Sequence, residues 1–356
     1  MDESNDIMQM TVTETAMLLG NSYSSLIINR KPIKSFSSVM LWGPPGVGKS
    51  QSIRQIAEII EKTTQKQVKI TDVRLLLFNP VDLRGIPTAN AEKTLAVWLR
   101  PQIFQMDASE EIINVLFLDE ISAAPQSVQA AAYQITLDRT VGEHKLPDNC
   151  IVIAAGNRTT DRSVAFEMPK ALSNRLCHIE IVSDSTAWLD WANESGIHPK
   201  IIAYIKTSPS RLMPPESDET ENAFPTPRSW EMVSNILNNV NGEIDTVFPL
   251  IVGCIGKRNA IAFRSWCNVY AAIPDVERIC KGESMAVPTR PNSIYALISS
   301  IIEYLKSESN ETYLHNVLEY SKALQPEFRS TLYYGIAKIR AFSKIIKDLP
   351  EFQYLG

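Results

Sequence analysis

Several features that define common protein classes are missing from this 356-residue chain. Its five cysteines are an odd number without a C-x-x-C pair, which favours free thiols over a disulfide framework or a zinc site. The four histidines are scattered without metal-ligand spacing. No apolar run approaches the length of a membrane span, and the first ten residues are polar and acidic, unlike a signal peptide. We therefore expect a cytoplasmic protein.

The chain also has fewer basic than acidic residues. Thirty-five lysines and arginines face forty acidic residues, which leaves a formal net charge of −5. This balance argues against a broad nucleic-acid surface, although it leaves room for a local basic groove. With 44% hydrophobic residues, the chain can bury a large core and is expected to form two or three domains.

The chain does contain a P-loop pattern, in which Gly43 and the Gly48-Lys49-Ser50 triplet have the required spacing. Glycines let backbone N–H groups close around phosphate oxygens, the lysine reaches the outer phosphates, and the Ser50 hydroxyl can hold Mg²⁺. Val39–Trp42 is typical of a buried strand before the loop, and a helical apolar pattern follows it. We therefore predict that the chain binds ATP and Mg²⁺. The predicted nucleotide-binding residues of the loop are Gly43, Pro44, Pro45, Gly46, Val47, Gly48, Lys49 and Ser50.

Two later strands end in polar side chains suited to hydrolysis. Asn114–Glu120 is an apolar run that ends in two acids, as expected of a buried parallel strand that delivers carboxylates to the ligand-binding edge of a sheet. Asp119 would share the Mg²⁺ site with Ser50, and Glu120 would polarise the attacking water. The strand Cys150–Asn157 ends in an amide that can hydrogen-bond both a γ-phosphate oxygen and the same water.

Five apolar strands separated by helices predict an α/β fold, a parallel αβα sandwich over about residues 30 to 183. The five are Val39–Trp42, Val68–Asp72, Asn114–Glu120, Cys150–Asn157 and His178–Val182. The remainder of the chain has helical apolar spacing. The predicted division is an N-terminal segment (1–36), a nucleotide-binding core (37–183), a helical lid (184–280) and a helical C-terminal extension (281–356). For the N-terminal segment, the only function suggested is a wall for the adenine base.

Two short segments, Asp82–Trp98 and Asp138–Pro147, place polar turn residues near extended runs and predict inserted hairpins. A solvated loop without a role is about equally consistent with the first. In the helical part, Thr226 can cap a helix whose first turn holds Pro227 and Arg228. A cation at a helix N-terminus is unfavourable unless an external anion offsets it, so the position of Arg228 indicates contact with an external anion.

With these residues, the chain resembles the AAA+ ATPases, and among them the MoxR-like group of the helix-2-insert clade, from about Met40 to Tyr270. The resemblance implies that Asn157 is sensor 1 and that Arg228 is the sensor 2 arginine of the lid. It also implies that Arg175 is an arginine finger, which reaches the γ-phosphate bound by a neighbouring subunit. The two hairpins would then be the clade's helix-2 and pre-sensor-1 inserts. Besides the P-loop and the strand-end acids, the resemblance is carried by Asp82-Leu83-Arg84-Gly85, Ala124-Pro125, Asp138-Arg139-Thr140-Val141 before Leu146-Pro147, and Thr226-Pro227-Arg228.

The chain departs from the group's pattern in two places. Ile121-Ser122-Ala123-Ala124-Pro125 stands where the group commonly has Ile-Asn-Arg-Ala-Pro, and Arg158 rather than proline follows the predicted sensor 1. Arg158 and Arg162 also lie close enough in sequence to compete with Arg175 as the finger. Arg175 is preferred because it precedes the last strand, where the family's finger sits.

The resemblance implies a ring-forming ATPase, expected to be a hexamer, that couples ATP hydrolysis to remodelling of a protein partner. MoxR-like proteins typically act with a partner that carries a von Willebrand factor A domain, so such a protein is the implied client or adaptor. A nucleic-acid motor or loader is the alternative, since related ring ATPases act on DNA, but the acidic net charge counts against it. A small-molecule kinase shares the P-loop but needs neither Glu120 nor an arginine from a neighbour.

Overall fold

The computed structural model describes residues 7–158, Asp161, Met168 and residues 173–214, 222–240, 244–271 and 273–347. It divides into two compact units, Met1–Val240 and Asn241–Gly356. Within the described ranges, no helix is both long and apolar enough to cross a membrane. The five cysteines are free thiols, as the sequence predicts.

The first unit is built on a parallel sheet of six strands in the order β1-β10-β2-β9-β6-β3. Two separate antiparallel pairs, β4 with β5 and β7 with β8, are the predicted hairpins. The strands are β1 (Gln9–Met10), β2 (Val39–Trp42), β3 (Gln67–Arg74), β4 (Ile86–Ala89), β5 (Ala96–Leu99), β6 (Ile112–Asp119), β7 (Thr140–Val141), β8 (His144–Lys145), β9 (Cys150–Gly156) and β10 (Cys177–Ile181). The predicted α/β sandwich is therefore confirmed.

The predicted number of five strands is wrong by one, because β1 adds an edge strand next to β10. Two backbone hydrogen bonds hold it, from Glu180 to the Met8 carbonyl and from Val182 to the Met10 carbonyl, both 3.0 Å long. A strand of two residues is too short to show an alternating pattern in the sequence. Its partner lies about 170 residues away, so only the tertiary structure reveals it.

Both faces of the sheet are buried, as their continuous apolar sequences require. Successive residues of β6 enter opposite layers of the core. Leu116 and Leu118 pack with the helix that follows Pro125, whereas Val115 and Phe117 pack with the helices that flank β2. This two-sided burial fixes the strand ends at one edge, where the polar side chains emerge.

Two helices of the first unit support the P-loop. Helix α2 follows the loop, and α1 packs along it so closely that a Cβ atom at Gly20 would lie 2.7 Å from Ile59. Helix α1 begins with a capping box between Thr11 and Glu14. The helices that the structure describes in the first unit are α1 (Val12–Ile28), α2 (Lys49–Thr64), α3 (Pro80–Arg84), α4 (Gln126–Asp138), α5 (Ser185–Glu194), α6 (Pro199–Thr207) and α7 (Pro227–Asn239).

The elements that the structure describes in the second unit are all helices, as predicted. One apolar cluster of its core contains the buried stripe of Ile294, Leu297, Ile298, Ile301 and Leu305. The predicted division of the chain at residues 36, 183 and 280 stays a prediction about the roles of these segments. The helices of this unit are α8 (Ile244–Ile255), α9 (Lys257–Ala271), α10 (Val276–Cys280), α11 (Pro291–Ser307), α12 (Glu311–Ser321), α13 (Pro326–Ala337) and α14 (Ser343–Lys347).

Candidate functional site

The P-loop takes a backbone conformation that needs glycine at Gly46 and Gly48. Their φ angles are +79° and +111°, in the left-handed region that side chains disfavour. Both glycines also face close neighbours, since a Cβ atom would lie 2.8 Å from Thr226 Oγ1 at Gly46 and 2.7 Å from Val12 at Gly48. The loop is therefore enclosed between the start of α1 and the start of α7.

Lys49, the first residue of α2, is only 9% exposed behind this loop. Its Nζ atom donates hydrogen bonds to the Gly43 carbonyl (2.5 Å), the Pro44 carbonyl (3.1 Å) and Oδ1 of Asn157 (2.8 Å). Burial lowers the pKa of Lys49 to about 8, an effect that the nearby Asp119 carboxylate opposes. The hydrogen-bond partners of the amine are thus neutral oxygens, whereas an anionic phosphate would stabilise its charged form better.

The two strand-end acids lie beside this lysine. Ser50 Oγ is 3.5 Å from Asp119 Oδ2, so the two predicted metal ligands face each other. Glu120 is half-buried and has a φ angle of +59°, a strained conformation for a residue other than glycine and one that concentrates at functional sites. The backbone holds this bend, because Ile121 donates to the Ala155 carbonyl at 2.9 Å.

This pair of oxygen ligands fits Mg²⁺ shared with a triphosphate. Mg²⁺ usually takes one or two protein oxygens and completes its shell with phosphate oxygens and water. Ser50 and Asp119 supply that number. Among the described residues, no cluster of three or more acids, histidines or cysteines would form an all-protein cage.

Asn157 follows the end of β9 and is fixed from two sides. Its side chain accepts the hydrogen bond from Lys49, and its backbone N–H donates to Ser122 Oγ at 2.9 Å. Ser122 is buried, and the same hydroxyl oxygen would lie 2.8 Å from a Cβ atom at Gly156. Ser122, which departs from the MoxR-like pattern, therefore holds the backbone of Asn157, a role that the sequence did not reveal.

A cavity of about 440 Å³ extends from the P-loop between α1, α2, α5 and α7. Thr11, Val12 and Thr13 form part of its wall, at the position that the sequence suggested for a wall of the base. Trp188 and Trp191 of α5 also line it and were missed. Their spacing of three residues, shortly after the last strand, is the signal that could have found them, because it places both on one face of a helix.

Arg228 lines the same cavity in the first turn of α7. The predicted cap is present, since Thr226 Oγ1 accepts from the Ser229 N–H at 3.0 Å and Ser229 Oγ accepts from the Thr226 N–H at 2.7 Å. Because Thr226 also touches Gly46, this cap places the guanidinium-bearing turn against the P-loop. The charge of Arg228 contributes to the lowered pKa of Lys49.

The three candidates for the arginine finger differ in their surroundings. Arg175 is exposed on the turn before β10 and is not part of the cavity wall that the structure describes. Arg158 is engaged within its own chain, where it contacts Asp161 at 2.7 Å and forms a closer ion pair with the buried Glu180. The hydrogen bond with Asp161 is the main cause of a raised pKa of Arg158. Arg162 lies outside the described residues.

The two hairpins contact each other. His144 Nε2 lies 2.8 Å from the Trp98 carbonyl oxygen, and a Cβ atom at Gly142 would lie 2.5 Å from the Arg84 carbonyl oxygen. On the first hairpin, Ile86 and Leu99 are largely exposed. The hairpins thus contact each other and carry exposed apolar side chains.

The P-loop, the strand-end acids and the asparagine on one edge of a parallel sheet define a P-loop nucleoside triphosphatase. Residues 38–178, less than half of the chain, match the family model described as "ATPase family associated with various cellular activities (AAA)". This part of the chain is therefore similar to an AAA-type ATPase domain, which supports ATP hydrolysis as its reaction.

Comparison with curated proteins found no match. Among solved structures, a candidate ATPase from Cytophaga hutchinsonii is 18% identical, with a TM-score of 0.33 over 67% of this chain and 65% of that protein. A point mutant of RuvB from Thermotoga maritima is 15% identical, with a TM-score of 0.41 over 82% and 81%. NtrX from Brucella abortus in complex with ADP is 13% identical, with a TM-score of 0.37 over 93% and 65%. This chain thus spans just under two thirds of the Cytophaga protein.

Proposed function

We propose that this chain is a MoxR-like AAA+ ATPase that assembles into a ring, expected to be a hexamer, and uses ATP hydrolysis to remodel a protein partner. The observation that carries the proposal is the contrast between Arg175 and Arg158. The site has its P-loop, acids, sensor asparagine and lid arginine within one chain. Arg175, the remaining arginine of the family's pattern, is exposed.

Arg175 is proposed to contact the nucleotide bound by a neighbouring subunit. Arg158 is held by two carboxylates of its own chain, which lowers its capacity to reach a phosphate elsewhere. Arg175 is exposed on the turn before β10, where the finger of the resembling family lies. An arginine supplied across a subunit boundary stabilises the charge that develops on the transferred phosphoryl group.

The proposed roles of the remaining groups follow from their positions. Lys49 and Arg228 bind the phosphates, and Ser50 with Asp119 would hold Mg²⁺, which would supply charge that neutralises the phosphates. Glu120 accepts a proton from the attacking water, which Asn157 helps to orient. Thr11 to Thr13 and Trp188 enclose the base.

For the partner, we propose a protein with a von Willebrand factor A domain, acting with the ring in the cytoplasm. This part of the proposal rests on the MoxR resemblance. The exposed apolar residues of the joined hairpins are consistent with a protein contact, because exposed apolar patches commonly mark interaction sites.

Arg175→Ala tests the ring. We expect ATPase turnover to fall about 10³-fold or more, while the affinity for nucleotide stays unchanged. Arg30→Ala is the matched control, because Arg30 is also exposed and does not line the described cavity. Full turnover by Arg175→Ala, or by a form that light scattering shows to be monomeric, would contradict the proposal.

Glu120→Gln tests the partner. This variant should bind ATP without hydrolysing it, so it should hold the assembled state long enough for capture from a lysate of the source cell. Identification of a von Willebrand factor A protein by mass spectrometry, retained with ATP and lost with ADP, is the expected result. Recovery of the chain alone as a monomer would count against remodelling.

A further inference from the structure

Two aromatic side chains join the strand before the P-loop to the last strand of the sheet. Trp42 of β2 donates a hydrogen bond from Nε1 to His178 Nδ1 of β10 at 2.8 Å. The two rings are stacked, with 6.0 Å between their centroids and 11° between their planes. Both side chains are half-buried.

The partners of His178 determine its tautomer. The indole N–H of Trp42 can only donate, so Nδ1 of the imidazole must carry a lone pair. Nε2 lies 2.7 Å from the Ser173 carbonyl oxygen, which can only accept, so Nε2 must carry the proton. The neutral ring therefore satisfies both contacts at once.

These contacts close the turn that carries Arg175. The Ser173 carbonyl accepts from His178 and also from the Leu176 N–H at 3.1 Å. At the other end of the turn, the Cys177 N–H donates to the Ser38 carbonyl at 3.0 Å, just before β2. The backbone on both sides of Arg175 is thus attached to fixed groups, while its side chain remains exposed.

We propose that Trp42 and His178 are positioning residues that orient Arg175 toward the ATP site of a neighbouring subunit. This inference rests on the proposed ring. Trp42 directly precedes Gly43 of the P-loop, with which each subunit binds its own nucleotide. The Trp42–His178 pair therefore connects this P-loop to Arg175, which the same subunit supplies to its neighbour. Neither side chain contacts the nucleotide in this account, so both act through Arg175.

Steady-state kinetics separates positioning from nucleotide binding. Trp42→Phe removes the indole N–H and keeps an aromatic ring, and His178→Ala removes both hydrogen bonds. We expect kcat to fall about tenfold or more, with KM for ATP changed less than about twofold, because neither substitution removes a group that contacts the nucleotide. His178→Gln keeps an amide donor for the Ser173 carbonyl and should recover part of the lost kcat. Trp266→Phe in the second unit is the matched control and should leave kcat unchanged.

Mixed rings provide the decisive test. Subunits with His178→Ala are combined with Glu120→Gln subunits, whose own sites are inactive but whose Arg175 is intact. If His178 acts on Arg175, the mixture should hydrolyse ATP faster than the two variants measured separately. In the control mixture, Arg175→Ala subunits replace the His178→Ala subunits. If this control recovers activity and the His178→Ala mixture does not, the inference is overturned.

The same mixtures distinguish failure of the inference from failure of the ring. If Arg175→Ala subunits recover no activity and light scattering finds only monomers, the ring proposal is wrong, and the positioning role falls with it. A fall in thermal stability with unchanged kcat in Trp42→Phe would also overturn the inference, because it would reduce the pair to a packing contact.

Discussion

The low pKa of Lys49 predicts that nucleotide binding takes up a proton. Without nucleotide, burial lowers the pKa to about 8 even though the nearby Asp119 carboxylate opposes the shift, and the hydrogen-bond partners of the amine are neutral oxygens. A bound triphosphate favours the charged form and should return the pKa toward its ordinary value of 10.5. At a pH between these two values, the lysine is largely neutral before binding and charged afterwards.

The magnitude follows from the two pKa values. At pH 8.5, a group with a pKa of about 8 is roughly one quarter protonated, so binding should take up about 0.7 proton per nucleotide. At pH 7 the group is already about 90% protonated, so the uptake from this lysine falls to about 0.1 proton. The linked affinity should weaken by up to about tenfold per pH unit above pH 8, because a proton must then be bound from solution.

Isothermal titration calorimetry measures this uptake directly. Binding of a non-hydrolysable ATP analogue with Mg²⁺ is titrated at pH 7 and pH 8.5, each in two buffers of different ionisation enthalpy, and the difference in measured enthalpy gives the number of protons. Lys49→Arg is the matched control, since a guanidinium stays charged at both pH values. Uptake below about 0.2 proton at pH 8.5, or equal uptake by Lys49→Arg, would refute the reasoning.

Three further predictions concern residues around the site. Ser122→Ala removes the hydroxyl that holds the Asn157 backbone, so kcat should fall about threefold to tenfold with KM for ATP unchanged in steady-state assays. Arg158→Ala removes one partner of the buried Glu180 carboxylate, so urea unfolding should show that the free energy of unfolding falls by about 2 kcal/mol. Trp188→Phe should remove much of the change in tryptophan fluorescence that nucleotide binding causes, because Trp188 lines the cavity.

Each of these predictions has its own contrary outcome. A raised KM in Ser122→Ala would mean that the hydroxyl supports nucleotide binding rather than the asparagine alone. A stable Arg158→Ala protein with no turnover would favour Arg158 over Arg175 as the arginine that acts between subunits. An unchanged fluorescence response in Trp188→Phe would place the base away from Trp188.

The part of the site that is local in sequence was predictable. The P-loop needs glycines at fixed spacing, and the strands before and after it carry continuous apolar runs, so Lys49, Ser50, Asp119 and Asn157 could be assigned to one edge of a sheet. The cap at Thr226 was also readable, because a helix start depends on a few adjacent residues.

Only the tertiary structure decided which distant groups meet this edge. The short strand β1 and the cavity wall at Trp188 depend on contacts between segments that carry no local pattern. The sequence left Arg158 and Arg175 as alternatives, and their environments differ only because Asp161 and Glu180 surround one of them. The sequence by itself thus determined the chemistry of the site, since that chemistry resides in residue types at short spacing. Packing between distant segments determined burial, pKa and orientation, since these depend on which groups the fold brings together.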